Sequence, residues 1–140
     1  SATASVRYAS KDTVYPGLSL TATSPVNLAN VNLLPFSGLC SENAQNVDLT
    51  AESQSGSIAC AFGSFSGNLN LSSLSDGNLT LTGSHRDIAG NITLRTVNLF
   101  KDTVRPTITL SSTSSTGTTQ SGSVTISLIG SESLLGLTST

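Results

Sequence analysis

The chain has 140 residues, a length that suits one small domain or slightly more. Only 10% of the residues are charged and the formal net charge is −2, so the chain lacks the basic surface that a nucleic-acid partner requires. Aromatic residues make up 4% and Trp is absent, which argues against the stacking faces that bind sugars or bases.

Alternating apolar residues predict a series of strands. Ser, Thr, Asn and Gly separate short runs of Leu, Ile and Val, a mixture that favours strands and turns over helices. Each alternating set can face one core. The seven sets are Leu18 and Leu20; Leu34, Phe36, Gly38 and Cys40; Val47, Leu49 and Ala51; Ile58, Cys60 and Phe62; Phe65, Leu69 and Leu71; Leu79, Leu81, Gly83 and His85; and Ile92, Leu94, Val97 and Leu99.

The seventh set changes parity in its middle. Ile92 and Leu94 share one parity, whereas Val97 and Leu99 share the other. One extra residue near Arg95 would place all four apolar side chains in the core. We therefore predict a β-bulge in the last strand.

The phrase "KDTVYP" at residues 11–16 recurs as "KDTVRP" at 101–106, 101 − 11 = 90 residues later. That period is the size of a small β-sandwich, so the phrase marks a linker between repeats. Its linker residues are Lys11, Asp12, Pro16, Lys101, Asp102 and Pro106. We expect residues 1–10 to form the last strand of a preceding repeat, 11–100 a complete domain, and 101–140 a linker and the first two strands of an incomplete repeat.

In the last part of the chain, alternating apolar residues predict two strands, at 107–110 and 123–129, without the other strands of a sheet. Exposed apolar side chains such as Val124 and Leu128 require a cover. Residues 107–140 are therefore disordered, pack on the complete domain, or pair with another copy. No apolar run approaches the roughly 20 residues of a membrane span, and no secretion signal opens the chain, so we expect a piece of a longer exported protein.

Five motifs occur together and in order: "SGLCSEN" at residue 37, a second Cys before a Ser- and Gly-rich turn, "LSDGNLTLT" at residue 74, "DIAGN" at residue 87, and the two "KDTVxP" phrases. As a set, they resemble bacterial immunoglobulin-like repeats of large secreted or surface-anchored, adhesin-like proteins. The resemblance covers residues 11–106 and departs from the usual "DTTAP" linker. It implies an all-β, seven-stranded immunoglobulin-like β-sandwich, extracellular or on the bacterial cell surface.

Two cysteines have the parity of the core. Cys40 ends the second predicted strand and Cys60 lies on the fourth, and both come near the same pole if the strands run up and down. A disulfide would close a loop of about 20 residues, and an exported location favours it. Two buried free thiols are the alternative.

Oxygen-bearing side chains are expected at the pole where the chain begins the domain. Asp12, Glu42, Asp87 and Asn91 could gather there and supply ligands for calcium, which some long adhesins of this kind hold at their domain junctions. The alternative is that these side chains satisfy backbone groups of turns. No other cofactor is expected.

No catalytic residue is predicted. His85 is the one histidine of the chain, and no motif presents a nucleophile to it. We expect a packed, hydrogen-bonded histidine and no enzyme activity.

The predicted function is therefore structural: a spacer repeat in the stalk of a bacterial adhesin, with neighbouring repeats of the same chain as its partners. Two alternatives remain open. The domain could bind a glycan or a host protein through its pole loops. It could also be a fibre subunit in which residues 107–140 complete the sheet of another copy.

Overall fold

A computed structural model describes residues 2, 10–112 and 126–132. These residues form nine strands, and no helix among them has the length and hydropathy to cross a membrane. The chain divides into two compact units, Ser1–Thr103 and Val104–Thr140. The first unit thus continues beyond residue 100, where the sequence places the end of the complete domain. The predicted strand of a preceding repeat lies mostly outside the described residues.

The first unit is built from two antiparallel sheets, which confirms the all-β prediction. Its strands are β1 (Thr21–Ala22), β2 (Leu34–Leu39), β3 (Asn46–Ala51), β4 (Gln54–Ala59), β5 (Ser64–Leu69), β6 (Gly77–Arg86) and β7 (Ile92–Lys101). The smaller sheet has the order β1-β2-β5 and the larger has the order β4-β3-β6-β7. Their apolar faces enclose one core, so the unit is a β-sandwich.

A tight hairpin places β4 in the larger sheet. Ala51 pairs with Gln54, so only Glu52 and Ser53 form the turn. Glu52 has a φ of 50°, in the left-handed region that short hairpin turns require. A two-residue connection therefore holds β4 beside β3 in the larger sheet, whereas β5 belongs to the smaller one.

Two glycines in the smaller sheet make room for phenylalanine rings. Phe36 lies opposite Gly67, and Gly38 lies opposite Phe65. A Cβ at Gly67 would come within 2.8 Å of the Phe36 ring. The two rings pack with their centroids 6.4 Å apart. Each strand therefore leaves a gap that the aromatic side chain of the other strand fills.

The predicted bulge in the last strand is wrong. β7 pairs with β6 in an unbroken register from Ile92 opposite Arg86 to Lys101 opposite Gly77. The alternation therefore continues, and Thr93 points to the core while Leu94 is 57% exposed. The prediction that Phe62 faces the core is also wrong, because it lies in the turn after β4 and is fully exposed.

The chain begins and ends the first unit at opposite poles. At the N-terminal pole, the Gly17 amide donates to Ser41 Oγ and the Ser41 amide donates to the Gly17 carbonyl. This pole also carries the turns 60–63 and 87–91. At the C-terminal pole, Val26 forms a parallel bridge with Lys101. β7 runs from the first pole to the second.

The second unit contains one described hairpin, formed by β8 (Ile108–Ser112) and β9 (Ile126–Gly130). Leu110 pairs with Leu128, and Ile108 and Leu110 are 62% and 66% exposed. These strands lie near the two predicted at 107–110 and 123–129. Val124 lies outside the described residues.

Candidate junction sites

A disulfide joins the two sheets at the N-terminal pole. Cys40 directly follows β2, Cys60 directly follows β4, and their sulfur atoms are bonded with the Cα atoms 6.0 Å apart. Both cysteines are buried. The predicted pairing is therefore confirmed, and the bridge connects the smaller sheet to the larger one.

The first linker phrase is held against the N-terminal pole by two side chains. Asn91 Nδ2 donates to the Val14 carbonyl at 3.2 Å and to the Asp12 carbonyl at 3.4 Å. Thr93 Oγ1 donates to the Pro16 carbonyl at 2.6 Å in a buried bond. The backbone of residues 12–16 is thus attached to the turn before β7 and to β7 itself.

Asp87 orients Asn91. Its Oδ2 accepts from Asn91 Nδ2 at 2.7 Å and its Oδ1 accepts from the Asn91 amide at 2.8 Å. Burial raises the pKa of Asp87, but the hydrogen bonds from Asn91 and from the backbone of the same turn outweigh burial and lower this pKa. A charged Asp87 is therefore the form that this turn favours.

The four predicted calcium ligands do come together at the N-terminal pole. Asp12, Glu42 and Asp87 line one cavity of about 390 Å³. Asp12 Oδ1 accepts from the Val14 amide, as in a polar turn. Within the part of the chain that the structure describes, no group of three or more His, Cys, Asp or Glu side chains converges closely enough to hold a metal ion.

His85 is fully buried and both of its ring nitrogens are engaged. Nε2 accepts from the Glu42 amide at 3.2 Å. Because this nitrogen accepts, the proton of the neutral ring lies on Nδ1, which donates to the Asn46 carbonyl at 3.0 Å. The imidazole therefore fixes the turn after Cys40 to the start of β3.

The C-terminal pole holds a charge pair between buried Lys101 and half-buried Asp76 that the sequence did not predict. Lys101 is 3% exposed, and its Nζ lies 2.7 Å from both the Leu74 carbonyl and Asp76 Oδ1. Thr103 donates to Asp76 Oδ2 through its amide at 2.9 Å. The Lys101 hydrogen bond, the Thr103 amide and the charge of Lys101 lower the pKa of Asp76.

Lys101 therefore departs from its predicted role as a linker residue, because it is the last residue of β7 and faces the core. The sequence contained a signal for this position. Lys101 has the parity of Val97 and Leu99, and a lysine at a core parity requires an acceptor nearby. The remaining linker residues differ in exposure: Pro16 is buried, whereas Lys11, Asp102 and Pro106 are exposed.

One solved structure has a similar fold. It is described as "Crystal structure of tetra-tandem repeat in extending region of large adhesion protein", and it matches with a TM-score of 0.52 and 21% sequence identity. The match covers 82% of this chain and 38% of that chain. This chain thus spans well under half the length of the matched one. The sequence matches no protein-family model and no curated protein.

Proposed function

We propose that the first unit is a spacer repeat in the extracellular part of a long bacterial adhesion protein. The observation that carries this proposal is the placement of its ends. The chain begins the sandwich at one pole and leaves it at the other, with a copy of the same linker phrase at each. Units joined in this way add length in one direction.

The fold supports an immunoglobulin-like assignment with one difference. Seven strands in two antiparallel sheets suit this class, but a constant-type domain places its fourth strand with the first, second and fifth. Here β4 joins β3 instead. The likeness to tandem repeats of a large adhesion protein supports a repeat, and the disulfide supports an oxidising location outside the cell.

The second unit is proposed to open a following repeat. Its hairpin places Ile108 and Leu110 on one face, and both are exposed within the part of the chain that the structure describes. In a complete repeat, a second sheet would cover this face. The second candidate function, a fibre subunit, rests on the same exposed face, which another copy could cover by strand exchange.

Light scattering of the whole chain and of residues 1–106 separates these two functions. The compact first unit has its own core, so the shorter protein should fold. The spacer function predicts that both proteins are monomers. A dimer or fibre that forms only when residues 107–140 are present would favour the fibre subunit.

Small-angle scattering of proteins with one, two and three copies of residues 11–100, closed by residues 101–106 after the last copy, tests the spacer function. The ten-residue β7 spans about 34 Å along the sandwich. The maximum dimension should therefore grow by about 34 Å or more with each copy. Copies that fold back on one another, with a dimension that hardly grows, would overturn the proposal.

We propose that Asp12, Glu42, Asp87 and Asn91 shape the junction through hydrogen bonds, and that calcium is not required. This proposal is supported by the direction of the Asn91 amide, whose Nδ2 faces three acceptor oxygens. The melting temperature of the whole chain should then stay within about 1 °C between excess chelator and millimolar calcium. By mass action, calcium at a hundredfold its Kd would add about 2.7 kcal/mol and raise the melting temperature by several degrees. Such a rise would reinstate the calcium hypothesis.

A further inference from the structure

We infer that, in an array of repeats, each "KDTVxP" phrase is clamped from both sides: the preceding repeat holds side chains and backbone amides of its first three residues, and the following repeat holds its backbone carbonyls. The inference rests on the proposed spacer function and names the partner of the N-terminal pole. That partner is the C-terminal pole of a preceding copy. The first unit contacts both copies of the phrase, and it holds each copy in a different way.

The second copy shows what a preceding repeat does with the phrase. Lys101, its first residue, places Nζ on Asp76 Oδ1 and the Leu74 carbonyl. Thr103, its third residue, donates to Asp76 through its amide and its hydroxyl. The Asp102 amide donates to the Val26 carbonyl at 2.8 Å. A repeat therefore holds the first three residues of the phrase that follows it.

The first copy shows what a following repeat does with the phrase. Asn91 donates to the carbonyls of Asp12 and Val14, which are the second and fourth residues. Thr93 donates to the carbonyl of Pro16, the sixth residue. The following repeat thus binds the backbone oxygens of alternate positions.

The two sets of bonds use different atoms. The preceding repeat forms hydrogen bonds with the lysine Nζ, the amides of the second and third residues, and the threonine hydroxyl. The following repeat takes only carbonyl oxygens of the second, fourth and sixth residues. Because no donor or acceptor is needed twice, one phrase can satisfy both repeats at once. A linker held along its whole length has little freedom to bend.

Among the described residues, Lys11 does not make the contacts that Lys101 makes. It stands at the same position of the phrase as Lys101, yet it is exposed while Lys101 is 3% exposed. Lys11 has no ion pair among the described residues. A preceding copy would offer it a carboxylate in the place of Asp76 and a carbonyl in the place of Leu74.

A protein with a second copy of residues 11–100 fused directly before Lys11 tests the inference. In the fusion, Lys11 takes the place of Lys101 at the end of the upstream β7. Trypsin should cut the Lys11–Asp12 bond of the 140-residue chain readily. In the fusion, this cleavage should slow by roughly tenfold or more, because it now requires local opening. Equal rates in the two proteins would overturn the inference.

Two variants of the upstream copy identify the contact. Asp76→Asn should restore rapid cleavage at Lys11. Glu52→Gln is the matched control, because it removes one exposed carboxylate at the same pole, and it should leave cleavage slow. Rapid cleavage in both variants, or slow cleavage in both, would contradict the assignment of Asp76.

A measurement on the unsubstituted proteins does not depend on how the variants fold. The NMR order parameter of the Thr13 amide should rise between the 140-residue chain and the fusion and reach about 0.85 in the fusion. An unchanged value would overturn the clamp. Small-angle scattering of the fusion distinguishes the two proposals. An extended protein in which Thr13 stays mobile would contradict the clamp but not the spacer function. A protein that folds back on itself would contradict the spacer function.

Discussion

At the scale of single residues, the smaller sheet depends on a symmetrical pair of tripeptides. Phe-Ser-Gly occurs at residues 36–38 and again at 65–67, and the antiparallel register places each phenylalanine opposite the other tripeptide's glycine. A Cβ at Gly38 would overlap the Ser19 carbonyl and lie 2.6 Å from the Phe65 ring. These glycines are therefore required for space, although glycine lowers the intrinsic stability of a strand.

Gly38→Ala should destabilise the first unit by roughly 2–4 kcal/mol, because the backbone oxygen of Ser19 cannot move aside as a side chain can. Gly56→Ala is the matched control on β4, where the added Cβ would meet only Leu69 Cδ1 at 3.4 Å. There we expect a change within about 1 kcal/mol. Urea unfolding measures both free energies. Equal losses for the two variants would show that close approach at Gly38 is not the cause.

The Lys101–Asp76 pair makes stability depend on pH. The folded state lowers the pKa of Asp76, chiefly through the Lys101 hydrogen bond. The resulting stabilisation is fully present above the unfolded pKa of about 3.9 and is lost as pH falls through the lower folded value. Asp76→Asn should therefore unfold at a lower urea concentration than the parent chain at pH 7, and this gap should shrink below about pH 4.

Glu52→Gln again provides the control for this pH dependence. Its side chain is exposed at the same pole, so its urea midpoint should follow that of the parent chain at both pH values. If the gap between Asp76→Asn and the parent chain were the same at pH 7 and below pH 4, the ion pair would not be its source.

At the scale of elements, the sequence predicted where the strands lie better than which way the last one faces. The strand positions follow from alternating apolar residues separated by turn residues, a local pattern. The direction of Ile92 and Leu94 depends instead on the register with β6, which continues unbroken through Gly83 opposite Arg95. The apolar residues at 92 and 94 led to the prediction of a bulge. In the structure, ten consecutive residue pairs between β6 and β7 keep both side chains on the outer face.

Leu94→Ala and Leu99→Ala measure this difference on one strand. Leu99 is 2% exposed and Leu94 is 57% exposed. Truncation of the buried leucine should cost roughly 2–5 kcal/mol, whereas truncation of the exposed one should change stability by about 0.5 kcal/mol or less. Chemical denaturation of the two variants checks the orientation. Comparable losses would indicate that Leu94 also reaches the core.

The sequence predicted where the candidate junction residues lie better than the direction of their polar groups. Tracing the strands up and down correctly brings Asp12, Asp87 and Asn91 to one pole, because pole assignment needs only the order of the strands. Whether Asn91 offers oxygen to a cation or nitrogen to a carbonyl depends on the direction of its amide, which the sequence does not contain. The burial of Lys101 likewise depends on the register that places Gly77 opposite it.

At the scale of the whole molecule, the placement of the ends and the disulfide bear on how the first unit responds to tension. A force applied through the two linker phrases acts between Pro16 at one pole and Lys101 at the other. Near the C-terminal pole, the parallel bridge between Val26 and Lys101 joins the first and last segments of the domain. The bridge between Cys40 and Cys60 lies within the chain that such a force would extend.

The disulfide should therefore limit how far the unfolded first unit can lengthen. Cys40 and Cys60 are 20 residues apart in sequence, and an extended chain spans about 3.3–3.6 Å per residue. While the disulfide is intact, the unfolded chain is therefore shorter by about 60–70 Å when it is extended. In single-molecule extension of the first unit from its two linkers, a reducing agent should lengthen the unfolding step by that amount.

The double variant Cys40→Ala/Cys60→Ala should show the longer step with or without reductant. It should also be less stable by about 3 kcal/mol in equilibrium unfolding, because the closed loop no longer restricts the unfolded chain. Identical steps with and without reductant in the parent chain would mean that the bridge does not limit extension. A step that lengthens in the parent chain under reduction, and that is already long in the double variant, would show that the cysteine pair limits the length of the first unit under tension.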